Sequence, residues 1–228
     1  MSSIMRFDII TIFPKIFDSY FNESIIKRAQ EKGKVKIKTW NLRDFTKDKH
    51  KKVDDRPFGG GPGMVMKVEP LLNCIQKLLE KISKKQVSKT LIILFVASGK
   101  QFDNKMAQDF SKKYEQIIMI CGHYEGVDER IKNVLRTMDY GLKTISIGPY
   151  VLTGGELPSM IVVDAVSRQI SGVLGKFESL EEKRDGIGIP VYTRPEILKF
   201  ENKKYSVPNV LLSGNHKKID EWRAKHRK

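Results

Sequence analysis

The sequence predicts an α/β fold built on a parallel sheet. Short apolar segments alternate with stretches of helical periodicity, the later apolar segments are β-branched on both faces, and glycine-rich turns follow several of them. Met5 to Phe13 (MRFDIITIF) reads as the first strand, ended by Pro14. Asn22 is placed to cap a helix running to about Lys32, with Gly33 as its stop. Val35 to Trp40 alternates apolar residues with lysine and threonine, the pattern of a half-buried strand, and a long polar connection covers 41–63. From Glu69 onward Leu71, Ile75, Leu78 and Ile82 share one helical stripe. Leu91 to Ala97 is a buried strand, Met106, Phe110 and Tyr114 mark a helix, and Ile117 to Cys121 is a second buried strand. Val127, Ile131, Val134 and Met138 repeat at helical spacing, and Thr144 to Ile147 is a further strand. Leu157 to Leu174 predicts a long apolar helix with Pro158 near its first turn.

Beyond that helix the alternation stops. Residues 176–190 are charged, contain glycine and have no period, as in a linker or an active-site segment. The expected organisation is a ligand-binding domain over 1–175, a linker over 176–190 and a small basic domain over 191–228.

A chain of 228 residues can bury a substantial core. Its 42 Lys and Arg against 27 Asp and Glu give a net charge of +15 and a pI near 9.7, which attracts polyanions, nucleic acid first among them. Surface lysines that merely solvate the protein produce the same number, so charge alone leaves the two readings even. The longest strongly apolar run, Leu91 to Ala97, falls far short of the ~20 residues a spanning helix needs, and no signal-peptide core follows Arg6 and Asp8. The expectation is no membrane and a cytoplasmic location. Cys74 and Cys121 lack metal-like spacing and read as reduced core thiols, and no histidine pair has zincin spacing.

Three segments carry chemistry. Gly59-Gly60-Gly61-Pro62-Gly63 follows Asp54-Asp55-Arg56-Pro57 and lacks the lysine-serine/threonine ending of a phosphate loop. Cys121-Gly122-His123-Tyr124-Glu125-Gly126-Val127-Asp128-Glu129-Arg130 leaves a strand directly. So does Ser146-Ile147-Gly148-Pro149-Tyr150-Val151-Leu152-Thr153-Gly154-Gly155-Glu156-Leu157-Pro158, which runs on into a helix N-terminus. Each loop alone reads equally as an ordinary turn. Two of them after adjacent strands can enclose a small ligand at the carboxyl edge of a parallel sheet.

VDDRPFGGGPGM (Val53 to Met64), CGHYEGVDER, SIGPYVLTGGELP, DAVSR (Asp164 to Arg168), YTRPE (Tyr192 to Glu196) and LLSGNH (Leu211 to His216) stand in one order over nearly the whole chain. In these blocks the sequence resembles the bacterial tRNA (guanine-N1)-methyltransferases. The resemblance implies a deep trefoil knot at the end of the first domain, which physical reading does not supply because threaded chains are so rare. It also implies a small helical C-terminal domain and a homodimer. It implies S-adenosyl-L-methionine as methyl donor and guanine 37 of tRNA as acceptor. Gly122, Tyr124, Ile147, Gly148, Pro149, Tyr150, Val151, Leu152, Gly154 and Gly155 would hold the donor, and Arg168 would face guanine O6.

The resemblance is imperfect at the general base. Where the family has an aspartate, alignment on Ser179 leaves Lys183, and a cationic lysine is a poor base. Asp185, Glu182 and Glu181 are nearby carboxylates, with Asp185 preferred because Gly186 beside it frees the backbone; Glu125 matches an acidic residue near the guanine. A solvated charge cluster is the competing reading for each. His123 stands where many members have arginine. Magnesium is associated with the family, but no oxygen cage is visible. A tRNA-binding protein with weak or lost catalysis, and a knotted methyltransferase acting on another RNA, stay open as alternatives.

Overall fold

The computed structural model describes residues 4–80, 82–138, 140–175 and 188–226. In chain order it has strand β1 (Met5–Thr11), a 3-10 turn at Pro14–Phe17, helices α1 (Asp18–Phe21) and α2 (Ser24–Glu31), and strand β2 (Val35–Asn41). Two short strands, β3 (Asp54–Asp55) and β4 (Val65–Met66), precede helices α3 (Val68–Leu79) and α4 (Lys84–Val87). Then come β5 (Thr90–Gln101), α5 (Asn104–Lys113), β6 (Gln116–Ile120), α6 (Arg130–Arg136), β7 (Gly141–Ser146) and α7 (Glu156–Arg168).

Five strands form one sheet in the order β2-β1-β6-β5-β7, and every pairing is parallel. The expected α/β fold with a parallel sheet is therefore present. Both faces are covered, which explains the absence of apolar-polar alternation in β5 and β6. Phe7, Ile9, Leu91, Ile93, Ile117 and Met119 point to one side and pack with Ala29 of α2, Phe110 of α5 and Val162, Val163 and Val166 of α7. Ile10, Ile92, Leu94, Ile118 and Ile120 point to the other and meet Leu71, Cys74, Ile75 and Leu78 of α3 and Ile131 and Leu135 of α6. Each fully buried aliphatic side chain contributes about 1.5–3 kcal/mol by leaving water. Among the described residues, two carboxylates, Asp8 and Glu156, interrupt the apolar interior. Asp8 on β1 accepts from Arg6, from Trp40 Nε1 at 2.8 Å and from Gln116 Nε2 at 2.8 Å, so its partners come from β2 and β6 as well as β1.

The structure corrects several boundaries. Helix α2 starts after Glu23, which makes no side-chain cap, rather than at an Asn22 cap. Ile82 lies beyond α3, and Val127 precedes α6, bridging to Met66 instead. The predicted helix to Leu174 stops at Arg168: Gln169 and Ile170 close turns onto Val166 and Ser167, and Gly172 takes a φ of +84°. The long polar connection also contains the Asp54–Asp55 strand, which pairs antiparallel with β4.

The described residues divide into two compact units, Met1–Val173 and Leu174–Lys228. In the second, β8 (Ile197–Phe200) and β9 (Lys203–Ser206) form an antiparallel hairpin that the sequence reading did not anticipate, followed by helices at Asn209–Leu212 and His216–Lys225. Trp222 stacks on His226 with ring centroids 4.1 Å apart, and Tyr192 meets Trp222 edge-on. Among the described residues, no helix is long and apolar enough to cross a membrane.

Candidate active site

Strands β6, β5 and β7 are neighbours in the sheet, so the loops leaving their carboxyl ends gather on one edge. Between them lies a cleft of about 270 Å³. Residues 94–97 of β5 form one wall, the turn 122–127 a second, and residues from Ile145 to Pro158 a third. Strand β5 is irregular where it borders the cleft. Phe95 and Lys100 both pair with Ile145, so the residues between them leave the ladder.

The loops after β6 and β7 are stitched together. Gly155 donates its N–H to the Gly122 carbonyl at 3.0 Å, and His123 bridges Gly154. A second stitch comes from the short β3–β4 pair. Met66 donates to the Gly126 carbonyl at 2.9 Å, Asp128 donates to the Met66 carbonyl at 3.0 Å, and Glu125 donates to the Met64 carbonyl at 3.1 Å. The end of the GGGPG loop is thereby held beside a cleft residue: the Gly63 backbone lies so close to the Glu125 side chain that a Cβ there would overlap it. Asp128 fixes the start of α6, accepting from the Arg130 backbone at 3.0 Å and from its guanidinium at 2.6 Å, and that guanidinium holds the carboxyl below its usual range.

Two polar features stand out. Tyr124 adopts a φ of +59°, a conformation uncommon for a side chain of its size and costing about 1–3 kcal/mol. Its phenol is pushed up by burial and by the nearby Asp54 carboxylate. Behind the loops, Glu156 at the first position of α7 is only 4% exposed. Its Oε1 accepts from Thr11 Oγ1 at 2.6 Å, and its Oε2 lies 2.7 Å from His123 Nε2.

A family model described as tRNA (guanine-1)-methyltransferase TrmD matches residues 5–228. This chain belongs to that family. Among its relatives, the tRNA (guanine-N(1)-)-methyltransferase of Clostridioides difficile (strain 630) is 51% identical over 222 residues, covering 96% of this chain and 90% of the relative. The protein of the same name from Dictyoglomus turgidum is 51% identical over 225 residues, covering 97% and 84%. That of Staphylococcus carnosus is 48% identical over 222 residues, covering 96% and 84%.

Within this TrmD-family chain, the residues expected from sequence to hold a donor fall around one cleft. Gly122, Tyr124, Ile147, Gly148, Tyr150, Val151, Leu152, Gly154 and Gly155 all line it; Pro149 does not. Glu125 also lines it and is exposed to solvent. Arg168 is not brought to the cleft of its own chain. It ends α7, ten residues past the wall residue Pro158, or about 15 Å along a helix. Asp185, Glu182, Glu181 and Lys183 lie outside the described residues. Sequence reasoning missed the wall at Leu94 to Ala97 and the Thr11–Glu156–His123 contacts. Glu156 was visible in the TGGELP block, but its partner Thr11 is 145 residues away, and no local pattern connects them.

Proposed function

We propose that this protein is a tRNA (guanine-N1)-methyltransferase that moves the methyl group of S-adenosyl-L-methionine to N1 of guanine 37 in cytoplasmic tRNA. The observation that carries the reading is the cleft at the ends of β5, β6 and β7, lined by the family's own loop blocks. Its lining suits a compact nucleoside-type ligand. Leu94, Ile145, Leu152 and Pro158 offer apolar contact, while Gly148, Gly154 and Gly155 leave the backbone open to close approach. When bound, S-adenosyl-L-methionine supplies an electrophilic methyl group on a positively charged sulfur.

The remaining chemistry falls to the protein. Guanine N1 carries a proton at neutral pH, so a positioned base must accept it as the new bond forms, and a donor must meet the charge growing on O6. Glu125 on the cleft wall, and Asp185 and Glu182 in the following segment, are the candidate acceptors, with Asp185 preferred. Arg168 is the candidate O6 donor. Its separation from the cleft along α7 supports a homodimer in which a second copy brings Arg168 to this site. The deep trefoil knot belongs to the same reading; the stitching of residues 154–155 onto 122–123 is consistent with it. Residues 1–175 would then be the knotted donor-binding domain, 176–190 the linker, and 191–228 a mainly helical tRNA-binding domain whose Lys217, Lys218 and Lys225 meet phosphates. Magnesium dependence is part of the family expectation, although among the described residues no group of three or more His, Cys, Asp or Glu is arranged to hold an ion.

Release of S-adenosylhomocysteine tests the reading. It should require both S-adenosyl-L-methionine and unmodified tRNA; tRNA that binds without any release would make the protein a binding module with lost catalysis.

A further inference from the structure

A carboxylate shielded from water is costly unless hydrogen bonds and charge compensate it, and an apolar residue of similar volume would pack at less cost. Glu156 occupies such a place. Both its oxygens are used, Oε1 by Thr11 at the end of β1 and Oε2 by His123 in the loop after β6. It also sits in the first turn of α7, where the helix N-terminus favours negative charge. Thr11 is itself held, since its Oγ1 accepts from the Phe13 N–H at 2.9 Å. The His123 ring is confined: Phe13 meets it edge-on at 5.0 Å, and Gly154 packs so tightly that a Cβ there would overlap both the ring and the Glu156 carboxylate. The backbone of His123 is fixed too, its N–H donating to Met66 Sδ at 3.1 Å.

We propose that Glu156 is the positioning residue of the donor cleft, joining the end of β1, the loop after β6 and the start of α7 through Thr11 and His123. The proposal rests on the methyltransferase reading. Glu156 does not line the cleft; it acts through His123 and Gly154, which do. Holding these loops in register keeps the backbone of residues 122 and 147–155 preorganised, so the donor does not have to order them on binding.

The test uses Glu156→Gln, which keeps shape and removes charge; His123→Leu, which removes the bond to Oε2; and His123→Gln, whose amide can replace the ring nitrogen. Calorimetry reads affinity for S-adenosyl-L-methionine, steady-state kinetics reads KM for each substrate and kcat, and thermal melting reads stability. Glu156→Gln and His123→Leu should weaken donor binding and raise donor KM by about tenfold or more, the scale of a lost charge-assisted hydrogen bond. The tRNA KM should stay near the parent's, the melting temperature should shift by only a few degrees, and His123→Gln should bind nearly as the parent does. Parent-like donor affinity in Glu156→Gln and His123→Leu would overturn the proposal. So would losses that track melting temperature and affect both substrates alike, because Glu156 would then be ordinary structural cement. A parent protein that binds no S-adenosyl-L-methionine would remove the functional reading, and this proposal with it.

Discussion

Gly155 donates its backbone N–H to the carbonyl of Gly122 at 3.0 Å, and a Cβ on Gly155 would stand 2.5 Å from the Cα of Cys121. The obstacle is backbone at the end of a central strand, so it cannot swing aside. At Gly148 the obstacle is the ring of Tyr150, an exposed side chain that can turn away. Gly155→Ala should therefore cost about 1–3 kcal/mol of stability by forcing the loops apart, and abolish donor binding. Gly148→Ala should leave stability within about 0.5 kcal/mol and weaken donor binding moderately, with Gly148→Val worse. Denaturant titration and calorimetry on the three variants check the ordering; equal effects at 148 and 155 would remove the distinction.

The place of Arg168 on α7 yields a second prediction. If a second copy supplies Arg168, one variant lacking the arginine and another lacking the donor cleft should complement each other. Arg168→Ala and Gly148→Val should each be nearly inactive alone. Mixed and allowed to exchange subunits, they should recover about a quarter of parent activity, because random assortment makes about half the dimers mixed, each with one intact site. No recovery despite demonstrated exchange would place cleft and arginine in the same chain.

Burial pushes the Cys74 thiol from 9.0 up to about 12 and holds Cys121 well above the ordinary thiol range. The raised folded-state value means that stability is fully present below pH 9. It is lost as pH rises from 9 towards 12, where the unfolded chain releases its thiol protons and the folded one does not. Denaturant titrations from pH 8 to 11 should show stability falling, with a shallower fall in Cys74→Ala. Neither thiol should react with iodoacetamide at pH 8 until the protein unfolds.

Much of the first unit was legible in the sequence, for a physical reason. Strands buried on both faces read as continuous β-branched runs, so 91–97 and 117–121 were found within a few residues of β5 and β6. Where burial did not imprint a period, the reading failed. Ile170 and Val173 continue the apolar pattern of α7 but pack as turns, and Gly172 was the signal that should have stopped the helix. β3 and β4 are two residues each, too short for any period, and exist because Val53, Met66 and Val127 meet across the chain. The β8–β9 hairpin lacked the usual cue: its two-residue turn places Glu201 and Asn202 at φ values of +45° and +57°, as a primed turn requires, but reads Glu-Asn in place of the Asn-Gly or Asp-Gly that marks such turns. The cleft loops were legible because two glycine-containing segments each leave a buried strand, and together they form blocks that stand in the family's order. The Glu156 contacts were not, because they depend on which strands become neighbours.

A fourth prediction concerns the proton on guanine N1. Positioned bases contribute roughly 100- to 10,000-fold, so Asp185→Asn should slow single-turnover methylation by a factor in that range while donor affinity hardly changes. Glu182→Gln and Glu125→Gln separate the alternatives. Rapid-quench methylation at saturating donor reads all three, and parent rates throughout would exclude every one of these carboxylates as the base.

The most direct test of methyl transfer to a guanine at one tRNA position is mass mapping of two transcripts, identical except for G or A at position 37. After incubation with protein and S-adenosyl-L-methionine, the G37 transcript should carry one added methyl group at N1 of that guanine, and the A37 transcript none. Methylation at another nucleotide, equal methylation of both transcripts, or none on either under conditions where tRNA and donor bind would contradict it.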